Sequence, residues 1–219
     1  MALFAFPKQA EFGRVVPKNK IYVKGRVSRT LREKFVKQIA KIVWKYKLSP
    51  ETVNLPSTRN VPEIEVFAVS LREAALSADL LRSIDNAIPF PTIYELEFGD
   101  KVRMTAAFKR PSEADSAKWV TDIYFESDWA EMTDERAVLP VSLDLGHLYE
   151  QIIRSLIPTR GRDDESLRGT TARIADVRRL EREAAIIESR MRKERQFNRR
   201  VELNAELRKL RYAIKELSQ

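Results

Sequence analysis

The chain has 219 residues, 33% of them charged and 43% hydrophobic, a globular composition with enough length to bury a substantial core. It contains no cysteine, so disulfides, thiolate nucleophiles and thiolate metal sites are excluded. A net charge of +8 conceals a segregation into +11 over residues 1–50, −9 over 51–159 and +6 over 160–219, which points to anionic partners at the ends or to neutralisation of the acidic middle within the fold.

The opening MALFAFPK has no charged leader and too short an apolar run for a signal peptide. No apolar run is long enough to span a bilayer. The expectation is a cytoplasmic protein without a membrane partner.

Residues 6–27 read as loops with one short strand. A helix is predicted next. Thr30 and Glu33 have the spacing of a capping box, and Leu31, Phe35, Ile39, Ile42, Val43 and Tyr46 recur at helical spacing. Lys34, Lys37, Lys41 and Lys45 recur on another face, a lysine stripe suited to phosphates or simply to solvent. Ser49-Pro50 ends this helix, and 51–62 reads as a loop. Residues 63–71, EIEVFAVSL, read as a strand covered on both faces. Ser77 caps a predicted helix over 78–88, stopped by Pro89 and Pro91.

The clearest β signal is TIYELEF and KVRMTAAFK flanking Gly99-Asp100, a two-residue hairpin turn. Cross-strand ion pairs of Glu95 and Glu97 with Lys101 and Arg103 are expected to set its register. A third strand follows over 118–126, then an acidic stretch over 126–135. Ser142 caps a predicted helix over 143–157, which Pro158 ends.

The polar, glycine-punctuated run 159–170 reads as a linker. Residues 171–219 hold no Gly and no Pro. Val177, Leu180, Ala184, Ile187 and Met191 step by three and four, as do Leu203, Leu207, Leu210, Ile214 and Leu217. The twelve-residue gap from Met191 to Leu203 shifts the phase. Either one long helix changes its packing face there or two helices turn back on each other; without a good turn residue other than Asn198, the favoured expectation is one continuous helix roughly 70 Å long. It would need a partner helix along Leu180, Ile187, Met191, Leu203, Leu207, Leu210, Ile214 and Leu217, from another protein or a second copy.

Little here resembles catalytic chemistry. His147 is the single histidine, and the six glycines form no phosphate-cradling loop. Glu95, Glu97, Asp100 and Lys109 approach a metal-nuclease arrangement, but Ala107 stands where a second acid should precede the lysine. The acids Asp122, Glu126, Asp128, Glu131 and Asp134 match no calcium-loop spacing. No catalytic residue, metal or cofactor is expected. What stands out is Arg190, Arg192, Lys193, Arg195, Arg199 and Arg200, six cations within eleven residues interrupted by one acid, Glu194. Arginine suits phosphate contacts; the alternative is pairing with acids of a partner helix.

Several stretches resemble a bacterial family known as domain of unknown function 4391: FPKQAEFGRVVPKNKIY, VWKYKLSPETVNLP with VPEIEVF, IPFPTIYEL, AAFKRPSEADSAKWV, YFESDW and KERQFNRRVELNAELRKL. Together they run through nearly the whole chain in order. The family assigns no catalytic residue. The resemblance implies a setting beside helicases and DNA methyltransferases of restriction-like and other anti-phage systems, an association rather than chemistry.

The expected architecture is α+β: residues 1–158 form a small, mostly antiparallel sheet with packed helices, 159–170 a linker, and 171–219 a basic, coiled-coil-like arm. The expected function is a non-catalytic accessory subunit of a DNA-targeting defence complex. Its arm would dock a protein partner such as a helicase or methyltransferase, and its basic surfaces would touch nucleic-acid phosphates without reading sequence. The alternatives are a cryptic metal-dependent nuclease and a pure assembly adaptor.

Overall fold

A computed structural model describes residues 3–115, 118–158, 162 and 164–218. The chain separates into two compact units, residues 1–160 and 161–219.

In the first unit, β1 (Phe4–Ala5), a 3₁₀ turn at Lys8–Ala10 and β2 (Glu11–Val15) lead into two helices, α1 (Lys18–Lys24) and α2 (Arg29–Gln38). There follow β3 (Ile39–Leu48), the short α3 (Pro50–Val53), β4 (Ile64–Leu71), α4 (Ala78–Ala87), β5 (Thr92–Phe98), β6 (Lys101–Pro111) and β7 (Trp119–Glu126). Two-residue strands β8 (Ala130–Glu131) and β9 (Ala137–Val138) precede α5 (Leu145–Leu156). The sheet runs β2-β3-β4-β5-β6-β7, with β8 beside β6, and β1 pairs separately with β9. Within the main sheet β4 and β5 are parallel and the other pairs antiparallel. The parallel step follows from α4, whose crossover returns the chain in the same direction. The unit is therefore α+β with a mixed, mostly antiparallel sheet.

The predicted helix over 30–46 is corrected. It caps at Ser28, whose side chain accepts from the Leu31 amide at 3.4 Å, and stops at Gln38. From Ile39 the chain is a strand paired along its length with β4. Ile39, Ile42, Val43, Trp44 and Tyr46 are β-branched or aromatic, the types that fit a pleated, half-buried surface. Their spacing fits a helix as readily, and pairing with the buried β4 decides between the two. The loop readings also missed two helices, α1 and α3.

One face of the sheet is covered by α1, α2 and α4. Ile21, Phe35, Leu80, Leu81 and Ile84 pack there on Ile42, Phe67, Val69, Tyr94 and Leu96. The helix over 78–88 is borne out, with Leu80, Leu81 and Ile84 inward. So is the helix near 143–157, although Asp144 rather than Ser142 caps it, accepting from the His147 amide at 2.7 Å. Its residue Tyr149 ties it to β6, donating to Ala107 O at 2.6 Å and accepting from the Lys109 amide at 3.1 Å.

The β5–β6 hairpin and its Gly99-Asp100 turn are as expected, with Gly99 at φ +62°. Its ion pairs are not. A two-residue turn places Phe98 opposite Lys101, Glu97 opposite Val102 and Glu95 opposite Met104. Acids and cations of the two strands therefore lie on opposite faces. Lys101 pairs instead with Glu131 at 3.7 Å, and Arg103 with Glu126 at 2.6 Å.

Candidate nucleic-acid interface

The second unit is a helical hairpin of α6 (Leu167–Lys193) and α7 (Phe197–Ser218). The continuous helix expected from 171 onward is thus overturned. A step of twelve residues from Met191 to Leu203 would put the two apolar stripes about a third of a turn apart on one straight helix. Folding back brings them face to face: Ala184, Ile187, Leu203 and Leu207 are buried together, with Met191, Leu210 and Ile214 packed against them. Leu180 and Leu217 are half-buried. The partner helix that the apolar repeat demands is supplied by the chain itself.

The open end of the hairpin is pinned by ion pairs and caps. Arg173 holds Glu165 through two nitrogens, at 2.9 and 2.8 Å, and its Nη1 donates to Leu217 O at 3.1 Å. Arg162 donates to Glu216 O at 3.0 Å, so cations meet the carbonyl end of α7, where the helix dipole favours them. The Arg173 guanidinium pulls the Glu165 carboxyl down to about 2. Its ordinary value lies near 4.3. The pair therefore contributes fully above that value and is lost as pH falls toward 2. Glu165→Gln is expected to lower the melting temperature by roughly 2–4 °C at pH 6. Melting wild type and variant in parallel should show the difference shrinking below pH 4.5 and vanishing near pH 2.

The other end carries the cations. The chain turns at residues 194–196 without Gly or Pro: Glu194 takes an extended backbone, and its carboxylate accepts from the Gln196 amide at 2.9 Å. Arg190, Arg192 and Lys193 lie in the last turn of α6, Arg195 in the bend, and Arg199 and Arg200 in the first turn of α7. All six are exposed. Arg199 pairs with Glu202 at 2.5 Å, and among the described residues the other five form no ion pair. Cations suit the end of α6, but the start of α7 has no acid in its first turn, and the dipole there disfavours Arg199 and Arg200. An anion at this tip would relieve that repulsion and meet the amides of α7 as well. Phe197, 77% exposed, stands among the cations. The sequence reading did not single it out; its signal is a lone aromatic inside a basic run.

The lysine stripe does not exist as one surface. Lys34 and Lys37 lie on α2, and Lys41 and Lys45 on β3. Lys34 approaches Asp79 at 3.8 Å, Lys37 pairs with Glu73 at 3.2 Å, and Lys45 reaches the fully buried Glu95 at 2.7 Å. Lys41 is exposed.

The family described as Domain of unknown function (DUF4391) matches residues 4–214. The chain belongs to this family. No curated protein and no solved structure shows a significant match. No described helix of this DUF4391 protein is long and apolar enough to cross a membrane.

The residues weighed as a nuclease site do not converge in this DUF4391 member. Glu95 is buried on the face opposite α4, bound by Lys45 and by Arg136, which also donates to Phe4 O at 3.1 Å. Lys109 lies on the helix side, 1% exposed, donating to Asp85 Oδ1 at 3.0 Å, Asp85 O at 2.7 Å and Ile88 O at 2.6 Å. The other Asp85 oxygen accepts from the Tyr124 hydroxyl. Burial lowers the Lys109 ammonium pKa, and Asp85 opposes that shift. This arrangement fastens α4 to β6. Among the described residues, no three His, Asp or Glu side chains group as metal ligands.

Proposed function

We propose that this DUF4391 protein is a non-catalytic accessory subunit of a DNA-targeting complex that contacts nucleic-acid phosphates with the tip of its helical hairpin. The observation that carries the reading is the exposed cluster Arg190, Arg192, Lys193, Arg195, Arg199 and Arg200, five of which form no ion pair among the described residues. Such a cluster is electrostatically costly where α7 begins, and phosphates would compensate it. Contacts of this kind position a protein on a duplex without reading sequence. The two apolar stripes are already occupied by each other, so docking of a helicase, a methyltransferase or another complex member falls to other surfaces of the chain. The restriction or anti-phage setting comes from the family resemblance.

Arg195→Glu/Arg199→Glu tests the reading. Binding of a short DNA duplex, followed by fluorescence anisotropy, is expected to weaken at least tenfold while helical content is kept. Unchanged duplex affinity together with loss of a protein complex would instead identify the tip as the contact of an assembly adaptor.

A further inference from the structure

A second feature lies in the first unit, between β2, β3, α1 and the end of α4. It is a cavity of about 370 Å³, within the usual range of small-molecule sites. Its floor is aromatic. Trp44 lies 4.1 Å from Phe12 and 6.0 Å from Phe67, measured between ring centroids. Phe90, beyond α4, adds a side wall. The mouth is basic. Arg14 comes from β2, and Lys20 and Lys24 stand one turn apart on α1. All three are exposed, none forms an ion pair among the described residues, and Arg14 lies 4.5 Å above the Phe12 ring.

The floor also holds one acid. Glu65 is 1% exposed, and neither of its carboxyl oxygens has a hydrogen-bond partner among the described residues. Lys47, its neighbour across β3, pairs instead with Glu63 at 2.6 Å. A buried polar group left unbonded costs on the order of 1–3 kcal/mol, and such groups in native proteins call for an explanation. Burial, and after it the adjacent Glu63, push the carboxyl up to about 9. The shift favours the protonated acid, which has one O–H donor beside one carbonyl acceptor.

We propose that this cavity binds a nucleoside phosphate, either free or as an unstacked nucleotide of a single strand. Its base would lie against Trp44 and Phe12 with a donor–acceptor edge on Glu65, and its phosphate would meet Arg14, Lys20 and Lys24. Each part of the ligand answers a separate feature. The flat apolar wall favours a stacked heterocycle. The buried acid favours a polar edge beside it, and the cations favour an anion at the mouth. A plain fatty acid or phospholipid would leave Glu65 unbonded, and inorganic phosphate would leave the aromatic wall unused.

Calorimetric titration of the full chain with AMP, CMP, GMP, UMP and ribose 5-phosphate is the test. At least one nucleotide is expected to bind, and ribose 5-phosphate to bind at least tenfold more weakly. Glu65→Leu should weaken that nucleotide about tenfold or more, without unfolding the protein, because it removes an unbonded polar group. Glu65→Gln, which keeps a donor beside an acceptor, should stay within a few-fold of wild type. Lys20→Ala/Lys24→Ala, at two exposed positions, should also weaken binding. Single-stranded pentanucleotides distinguish the sources: tighter binding of the strand marks a nucleotide within a chain, tighter binding of the monomer a free nucleotide. No binding at millimolar concentration overturns the proposal, as does nucleotide binding indifferent to Glu65→Leu or equal binding of ribose 5-phosphate. The hairpin-tip variant Arg195→Glu/Arg199→Glu should bind nucleotide as wild type does, so this proposal and the phosphate-contacting tip fail separately.

Discussion

Lys109→Ala is expected to destabilise the first unit by about 3–5 kcal/mol, the usual penalty for removing one partner of a buried ion pair. The loss has three parts. The Asp85 carboxylate, 3.0 Å from the lost ammonium, would stay in a buried site beside the Tyr124 hydroxyl without its cation. The carbonyls of Asp85 and Ile88, at the end of α4, would lose their donor. The aliphatic stem of a side chain that is 1% exposed would leave a cavity. Against a typical total stability of roughly 5–15 kcal/mol the change is large. Urea unfolding should show it as a lowered midpoint with an unchanged slope. Adding Asp85→Leu to Lys109→Met should restore part of the loss, since apolar replacement of both partners is often neutral. If Lys109→Ala unfolded at the wild-type midpoint but impaired a nucleic-acid activity, the nuclease reading would return.

Replacing all six tip cations by glutamine is expected to lower duplex affinity by orders of magnitude at low salt, because each phosphate contact releases counterions. The same change should leave thermal stability nearly unchanged. It removes two cations from the start of α7, where the dipole disfavours them, and three from the last turn of α6, where it favours them. A large loss of affinity without a matching change in stability separates a ligand contact from a structural role. Glutamine keeps helix propensity close to that of arginine, so the hairpin should persist by circular dichroism.

The first unit shows what sequence patterns settle and what they leave open. The Gly99-Asp100 turn was legible because only a few residue pairs make two-residue hairpin turns. Helices α4 and α5 were legible because each carries one clean apolar stripe bounded by a polar cap and a stop. Residues 30–46 were not. Their apolar spacing satisfies a helix, and only the long pairing of Ile39–Leu48 with β4 makes the second half a strand. That change of element takes the lysine stripe apart. The expected ion pairs of the hairpin failed on parity, since a two-residue turn pairs odd positions with even ones. In the second unit the stripes and their phase shift were visible, but the bend at 194–196 carries no turn residue. It arises because two stripes out of phase bury more surface by facing each other than by sharing one helix. The cation cluster is visible in the sequence as a run of charges, while its place at a tip required the fold. The burial of Glu65 is a tertiary fact; its trace in the sequence is the one acid within a strand that is otherwise apolar except for Ser70.

The central claim is tested most directly by measuring the affinity of the full chain for a short duplex across salt concentration. If the six tip cations meet phosphates, the logarithm of the affinity should fall against the logarithm of salt with a slope of about −5, roughly a 10³-fold loss between 50 and 200 mM. The six-glutamine variant should lose that slope. Absence of duplex binding, or a slope the variant leaves unchanged, would contradict the assignment of the hairpin tip as a phosphate-contacting surface.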